Sequence, residues 1–153
     1  MIESINDIET IKTLWKPYTK EVGPIFKDYI EKYPFFCYKI DGNIVGMINY
    51  EIHDRLREVE VGILFVDSNF RGLGISTKLM YHVFKETESL IKTLGYLFVV
   101  KAYQGLPNNA MYEYLSIDHY PYGGPKDKPY FKYVLDINKI ERSANKWLNL
   151  SLM

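Results

Sequence analysis

From Val66 to Ser76 the chain reads Val-Asp-Ser-Asn-Phe-Arg-Gly-Leu-Gly-Ile-Ser, two glycines placed just before the clearest apolar periodicity in the sequence. The first N–H groups of a helix have no internal partners, and the helix dipole is positive there. A diphosphate can therefore accept several hydrogen bonds at such a place without a lysine cluster. Gly72 and Gly74 would keep side chains out of its way. A Walker-type nucleotide loop is excluded, because no Gly-Lys-Ser or Gly-Lys-Thr follows. A tight turn with no ligand is the plainer reading of the glycines alone, so the flanking elements carry the weight.

Other reactive side chains are sparse. Cys37 is the one cysteine, so no intrachain disulfide can form, and its strand-like neighbours Phe36 and Tyr38 point to a buried thiol rather than a nucleophile. His53, His82 and His119 are scattered and no His/Cys/Asp/Glu group has metal-ligand spacing, so no metal is expected. His53 and His119 stand as fallback bases.

The elements around the loop are readable from periodicity. Ile8, Ile11, Leu14 and Trp15 recur at helical spacing, and Pro17 is expected to stop them. Pro24 suits the first position of a second helix with Ile25, Phe26, Tyr29, Ile30 and Tyr33 on its buried face, closed by Pro34. Phe35 to Ile40 and Ile44 to His53 are aromatic and β-branched, with hairpin chemistry at Asp41-Gly42-Asn43. Arg57 to Val66 makes a third strand, with Val59, Val61, Ile63 and Phe65 expected on one face and Glu58, Glu60, Gly62 and Leu64 on the other.

After the loop, Leu79, Met80, Val83, Phe84, Leu90, Ile91 and Leu94 predict a long helix ending at Gly95. Tyr96 to Ala102 is expected to return parallel to the third strand through that helix. A short helix from Pro107 to about Leu115, strands at 117–120 and 130–137, and an amphipathic tail over 138–153 complete the pattern. Ile140, Ala144, Trp147 and Leu148 give the tail an apolar face that covers the domain or pairs with another copy. The expected architecture is one α/β (α+β) domain spanning 1–153, a mixed, mostly antiparallel sheet flanked by helices. A dinucleotide fold would need a parallel sheet from the start, which the hairpins contradict.

At 153 residues, one domain with one substantial core is expected. Lys plus Arg equals Asp plus Glu, 19 against 19. No long-range positive field recruits nucleic acid or an anionic membrane, so neither is an expected partner. Met1-Ile2-Glu3-Ser4 lacks the basic start of a signal peptide, and no apolar run reaches the 18 or so residues of a membrane helix, so a cytoplasmic protein is expected.

The run Arg71-Gly72-Leu73-Gly74 resembles motif A of the GNAT acetyltransferases, Gln or Arg, two residues, Gly, one residue, then Gly or Ala. Ser76 stands where that motif has a small apolar residue. The order of strand, loop, helix and return strand agrees with the family over most of the chain. The resemblance implies acetyl-CoA as cosubstrate, its diphosphate on the 71–76 loop (Arg71, Gly72, Leu73, Gly74, Ile75, Ser76), and oxyanion stabilisation by backbone N–H groups of a splayed strand at Leu64, Phe65 and Val66.

The resemblance also implies acetyl transfer to a primary amine, borne by a small molecule or peptide, through direct attack in a ternary complex. An alkyl amine near pKa 10.4 lies about 3.4 units from neutrality at pH 7, so freeing it costs about 4.6 kcal/mol and a base is worth having. Counting back along the family pattern lands on Glu60; a strand carboxylate paired with Arg57 is the alternative. Tyr112-Glu113-Tyr114-Leu115-Ser116-Ile117 resembles the family's Tyr-Glu-Lys-Leu-Gly-Phe run, which makes Tyr112 the acid for the leaving thiolate, with Tyr114 second. Asn108 or Asn109 resembles the asparagine that bonds the CoA arm, or simply caps its helix. A non-catalytic acyl-CoA sensor or partner-binding module of the same fold is the rival function.

Overall fold

The computed structural model describes residues 1–103, 105–106, 108–127 and 129–152, with backbone alone for 21–22 and 147–152. Seven strands form one sheet in the order β1-β2-β3-β4-β5-β7-β6. They are β1 (Ile2–Ile5), β2 (Phe35–Ile40), β3 (Asn43–His53), β4 (Glu58–Val66), β5 (Leu97–Tyr103), β6 (Ser116–Pro121) and β7 (Tyr130–Leu135). β4 and β5 run parallel and every other neighbouring pair antiparallel. The mixed sheet expected from the sequence is thus present, and it gains an edge strand, β1, whose Ile2 to Ile5 all pair with β2.

The helices are α1 (Ile8–Trp15), α2 (Thr19–Val22), α3 (Lys27–Lys32), α4 (Ile75–Glu86), α5 (Asn109–Leu115) and α6 (Ile137–Leu152). Asp7 starts α1 by accepting from the Glu9 backbone N–H at 3.3 Å and the Thr10 hydroxyl at 2.7 Å. Pro17 does not stop the helical path. It enters a 3₁₀ turn, Lys16–Tyr18, near its start, where a missing N–H costs little, and the chain runs on into α2. Pro24 does not open the next helix, which begins at Lys27. Phe26 precedes it with extended backbone and is 67% exposed, outside the buried face expected for it.

Asp41 and Gly42 both have positive φ, 50° and 80°, and Ile40 pairs with Asn43, giving the two-residue hairpin that a right-handed strand twist favours. α4 ends at Glu86, earlier than its apolar pattern. Leu90 and Ile91 lie on a π-type turn, Ser89–Thr93, before Gly95 at φ 76°. Pro107 is outside the described residues, as are the side chains of Trp147 and Leu148; Ile140 and Ala144 are buried, and α6 packs on α4.

The alternation expected along β4 fails midway, for a local reason. Tyr50 pairs with Val61 and Ile48 with Leu64, so Gly62 and Ile63 together oppose Asn49, a β-bulge that reverses the inward and outward sequence of side chains. Val59 and Val61 pack with Leu64 and Val66 in one core, together with Leu79, Val83 and Tyr112. Ile63 and Phe65 join Ile11, Trp15 and Ile30 in a second core. Glu60 therefore does not share a face with Leu64, as simple alternation had it; it shares the face of Phe65.

The bulge leaves α4, α5 and α6 on one side of the sheet and α1 and α3 on the other. Parallel pairing between β4 and β5 runs only from Glu58↔Leu97 to Val61↔Val100. Beyond that point the two strands part, and the site lies in the gap.

Candidate active site

The gap is a cleft of about 600 Å³, lined from β4 by Glu60, Gly62 to Val66, and from β5 by Val100 to Tyr103. Trp15 and Tyr18 border it on the α1 side, with Leu106, Asn108, Tyr112, Arg71 and Tyr130 completing the wall. Of the residues singled out from sequence, it brings together Glu60, Leu64, Phe65, Val66, Arg71, Asn108 and Tyr112.

Two side chains hold the exposed edge of β4. Asn108 Nδ2 donates to the Leu64 carbonyl at 3.2 Å, and Arg71 Nε donates to the Val66 carbonyl at 3.1 Å. The N–H and C=O of one strand residue point to the same edge. Leu64 and Val66 therefore turn their N–H groups toward the gap as well, while Ile63 N–H points the other way, to Asn49 Oδ1 at 2.6 Å. Asn108 stands at the N-cap position of α5 but makes no capping hydrogen bond with its side chain. Asn109 opens that helix and donates from Nδ2 to the Tyr103 carbonyl at 2.6 Å, its Oδ1 buried without a partner.

The glycine loop meets α4 at Gly74, which has φ 76°; Gly72 has φ 81°. Both are left-handed, where a side chain is strained, and a Cβ at Gly72 would meet nothing within 4 Å. Asp67 Oδ1 accepts from Asn69 N–H at 2.9 Å and closes the preceding turn. Ile75 buries its side chain in the core, so it offers the loop only its backbone N–H, whereas Leu73 is half exposed.

Glu60 lies on the α1 face, largely buried. Lys101 Nζ is 3.2 Å and His53 Nε2 3.3 Å from its Oε1. Arg57, the partner considered from sequence, instead reaches the Leu94 carbonyl and lies over the Tyr96 ring. His53 also stands 3.2 Å from Glu51 Oε1, whose Oε2 accepts from the Tyr29 hydroxyl at 2.7 Å. Gly62 makes room for this group, since a Cβ there would fall 2.7 Å from Asn49 Oδ1 and 2.8 Å from Glu51 Oε2. Glu51, His53 and Glu60 lie close enough together to be considered as metal ligands, but the Lys101 ammonium is already paired with Glu60 Oε1.

Tyr112 is on the opposite face, 4% exposed, and burial pushes its phenol well above the ordinary range, a shift that the Asn108 side chain partly offsets. Tyr114 is 68% exposed and outside the cleft, near Lys139. His119 is likewise outside it, 3.7 Å from Glu113 Oε1. Sequence reasoning missed Lys101, Tyr103 and Tyr130. The alternation of Lys101 and Tyr103 with buried Val100 and Ala102 was the usable signal for β5. Tyr103 and Tyr130 stack at 4.0 Å with their hydroxyls bonded, and burial followed by that bond pushes Tyr130 up to about 12.

A family model described as the acetyltransferase (GNAT) family matches residues 4–115. No curated protein sequence matches. Among solved structures, an N-acetyltransferase from Staphylococcus aureus Mu50 is similar at 16% identity and TM-score 0.65, covering 90% of this chain and 98% of that one. The aminoglycoside 6'-N-acetyltransferase from Enterococcus faecium gives 16% identity and TM-score 0.65 over 90% of this chain and 97% of its own. N-acetylglutamate synthase from Neisseria gonorrhoeae, complexed with coenzyme A and N-acetyl-glutamate, gives 14% and 0.64 over 89% of this chain and 35% of its own. At these identities the likeness is one of fold. Among the described residues no helix is long and apolar enough to cross a membrane.

Proposed function

Since the chain belongs to the acetyltransferase (GNAT) family, we propose that it transfers an acetyl group from acetyl-CoA to a primary amine by direct attack across the gap between β4 and β5. The observation that carries this reading is the placement of two candidate groups on opposite faces of one opening. Glu60 lies on the α1 face and Tyr112 on the α5 face, and the strand edge between them bears the N–H groups of Leu64 and Val66.

The residues present fit the cosubstrate. Left-handed Gly72 and Gly74 and the N-terminal amides of the twelve-residue α4 make a cradle for a diphosphate, and the N–H groups of the parted strand suit the amide-rich arm and the thioester oxygen. The cosubstrate supplies the activated acyl carbon. Glu60 accepts a proton from the ammonium and passes it to water, the freed nitrogen forms its bond to that carbon as the C–S bond breaks, and Glu60 then accepts the second proton that the nitrogen sheds on becoming an amide.

Tyr112 hydrogen-bonds to the departing sulfur. A phenol held so far above its usual range remains a donor at any working pH, whereas a thiol near pKa 8.5 is the stronger acid. The sulfur therefore leaves as a thiolate steadied by Tyr112 and takes its proton from water on release. Thiol release from acetyl-CoA in the presence of an amine panel, beside calorimetry with acetyl-CoA alone, tests the proposal. Turnover of any amine supports it. Binding without turnover across the panel would favour the sensor reading, and no binding would remove both.

A further inference from the structure

The charged side chains that line the cleft, Glu60, Lys101 and Arg71, are already engaged. Glu60 is held by Lys101 and His53 and Arg71 by the Val66 carbonyl, while next to Glu60 the neighbouring Glu51 is held by His53 and Tyr29. The ring of Tyr122 lies against two ammonium groups, 4.7 Å from Lys101 Nζ and 5.0 Å from Lys132 Nζ. An acceptor bringing a carboxylate would have to draw Lys101 from Glu60. One bringing a second ammonium would have to displace His53 or Tyr29 from Glu51. Either leaves a largely buried charge without its partner.

What remains on the α1 face is apolar and, besides Pro17 and Ile63, aromatic. On the β4 side Trp15, Tyr18 and Phe65 form one cluster, with ring centroids 5.5 Å (Trp15 to Tyr18), 4.8 Å (Tyr18 to Phe65) and 6.2 Å (Trp15 to Phe65) apart. On the β5 side stands the stacked pair Tyr103 and Tyr130. All five rings line the cleft that holds Glu60. Such walls reward a flat apolar body through area burial and ring contacts, and carry no formal charge with which to pair a carboxylate or a second ammonium.

Resting on the acetyl-transfer reading, we propose that the acceptor is an arylalkylamine, a primary amine on an aromatic body with no second formal charge. Its nitrogen approaches Glu60 at Oε2, because Lys101 and His53 both contact Oε1. Its ring enters the space that the two aromatic groups flank.

The test is steady-state thiol release from acetyl-CoA by the whole chain with 2-phenylethylamine, propylamine, 1,4-diaminobutane and 3-aminopropanoate as probes. The expected result is a kcat/KM for phenylethylamine at least tenfold above each of the others, the advantage over propylamine residing in KM. In Trp15→Leu that advantage over propylamine falls toward unity. Trp15 Nε1 also donates to the Gly23 carbonyl at 2.9 Å, so Tyr18→Leu, which keeps that bond, is the second variant and is expected to lower the same ratio. Preference for the diamine or the amino acid, or equal KM for phenylethylamine and propylamine, overturns the aromatic acceptor while leaving acetyl transfer in place. Acetyl-CoA binding with no turnover of any probe or of a wider amine panel overturns both.

Discussion

Asn108 Nδ2 reaches across the parted strands to the Leu64 carbonyl, 3.2 Å away, and so ties the start of α5 to the edge of β4 where the thioester oxygen would sit. The bond takes up the carbonyl and leaves the Leu64 N–H as the group presented to a ligand. Asn108→Ala frees the carbonyl to turn and compete, and Asn108→Asp places a carboxylate against it. We expect both to lower kcat/KM for acetyl-CoA by about tenfold, equivalent to about 1.4 kcal/mol, with Asp no better than Ala. Equal kcat/KM in Asn108→Ala and the parent would show the tie to be packing alone.

In the proposed transfer the Tyr112 hydroxyl meets the leaving sulfur, and its burial favours the protonated phenol. Tyr112→Phe should lower kcat by about 10- to 100-fold, the range of a lost transition-state donor, and leave the calorimetric affinity for coenzyme A within about twofold. Because the phenol lies far above its ordinary range, the alkaline limb of the parent's pH–rate profile should survive in Tyr112→Phe. Tyr114→Phe, altered on the outer surface, should behave as the parent in the same assay.

Gly74 turns the chain into α4 with a left-handed backbone. A β-branched residue there costs about 1–2 kcal/mol in backbone strain and brings bulk to the amides of the cradle. Gly74→Val should weaken coenzyme A binding by calorimetry at least tenfold. Its melting temperature should drop by only a few degrees, which separates a blocked site from an unfolded chain. Gly72→Val, whose Cβ meets no protein atom within 4 Å but adds a side chain to the other left-handed glycine of the proposed cradle, should weaken coenzyme A binding as well.

How far the site could be read from the chain follows from the range of the interactions involved. The 71–76 loop, the hairpin at Asp41 and Gly42, and the return of β5 are local patterns in which glycine, periodicity and order carry the information. The bulge at Gly62 and Ile63 is not local. It depends on Asn49 of another strand supplying a side-chain acceptor to Ile63 N–H, and it moves Leu64 away from Glu60. Pro17 was misleading for a similar reason, since Trp15 Nε1 bonds the Gly23 carbonyl and holds the 3₁₀ turn and α2 back against the first helix. The partners of Glu60 come from β3 and β5, and no spacing along β4 announces them.

Lys132 and Glu58 form an ion pair whose side chains are 7% and 5% exposed, with Glu58 Oε1 otherwise unpartnered. Burial pulls the Lys132 ammonium down, but the hydrogen bond and charge of Glu58 outweigh it and the net shift is upward. Lys132→Met leaves the carboxylate buried alone and should cost about 3–5 kcal/mol, whereas the double variant Lys132→Met with Glu58→Leu should recover most of that loss. Urea unfolding of the three chains measures the difference. A single variant as stable as the parent would mean that water reaches Glu58 in the folded protein.

His82 gives the fold its own dependence on pH. It lies on α4 against the ring of Phe36, centroids 4.5 Å apart, with Nε2 buried and Glu86 Oε1 beyond hydrogen-bond reach at 3.6 Å. Burial lowers its pKa from the ordinary 6.5, and the Glu86 charge opposes this without cancelling it. The unfolded chain therefore binds the proton more readily than the folded one. The stability it contributes is fully present above about pH 6.5 and is lost as pH falls through the lower folded value. Melting temperature measured from pH 7.5 to 5 should decline for the parent, and Phe, which keeps an aromatic ring in that place and has no proton to bind, should flatten the slope in His82→Phe. An undiminished slope in that variant would show that the acid sensitivity arises elsewhere than at His82.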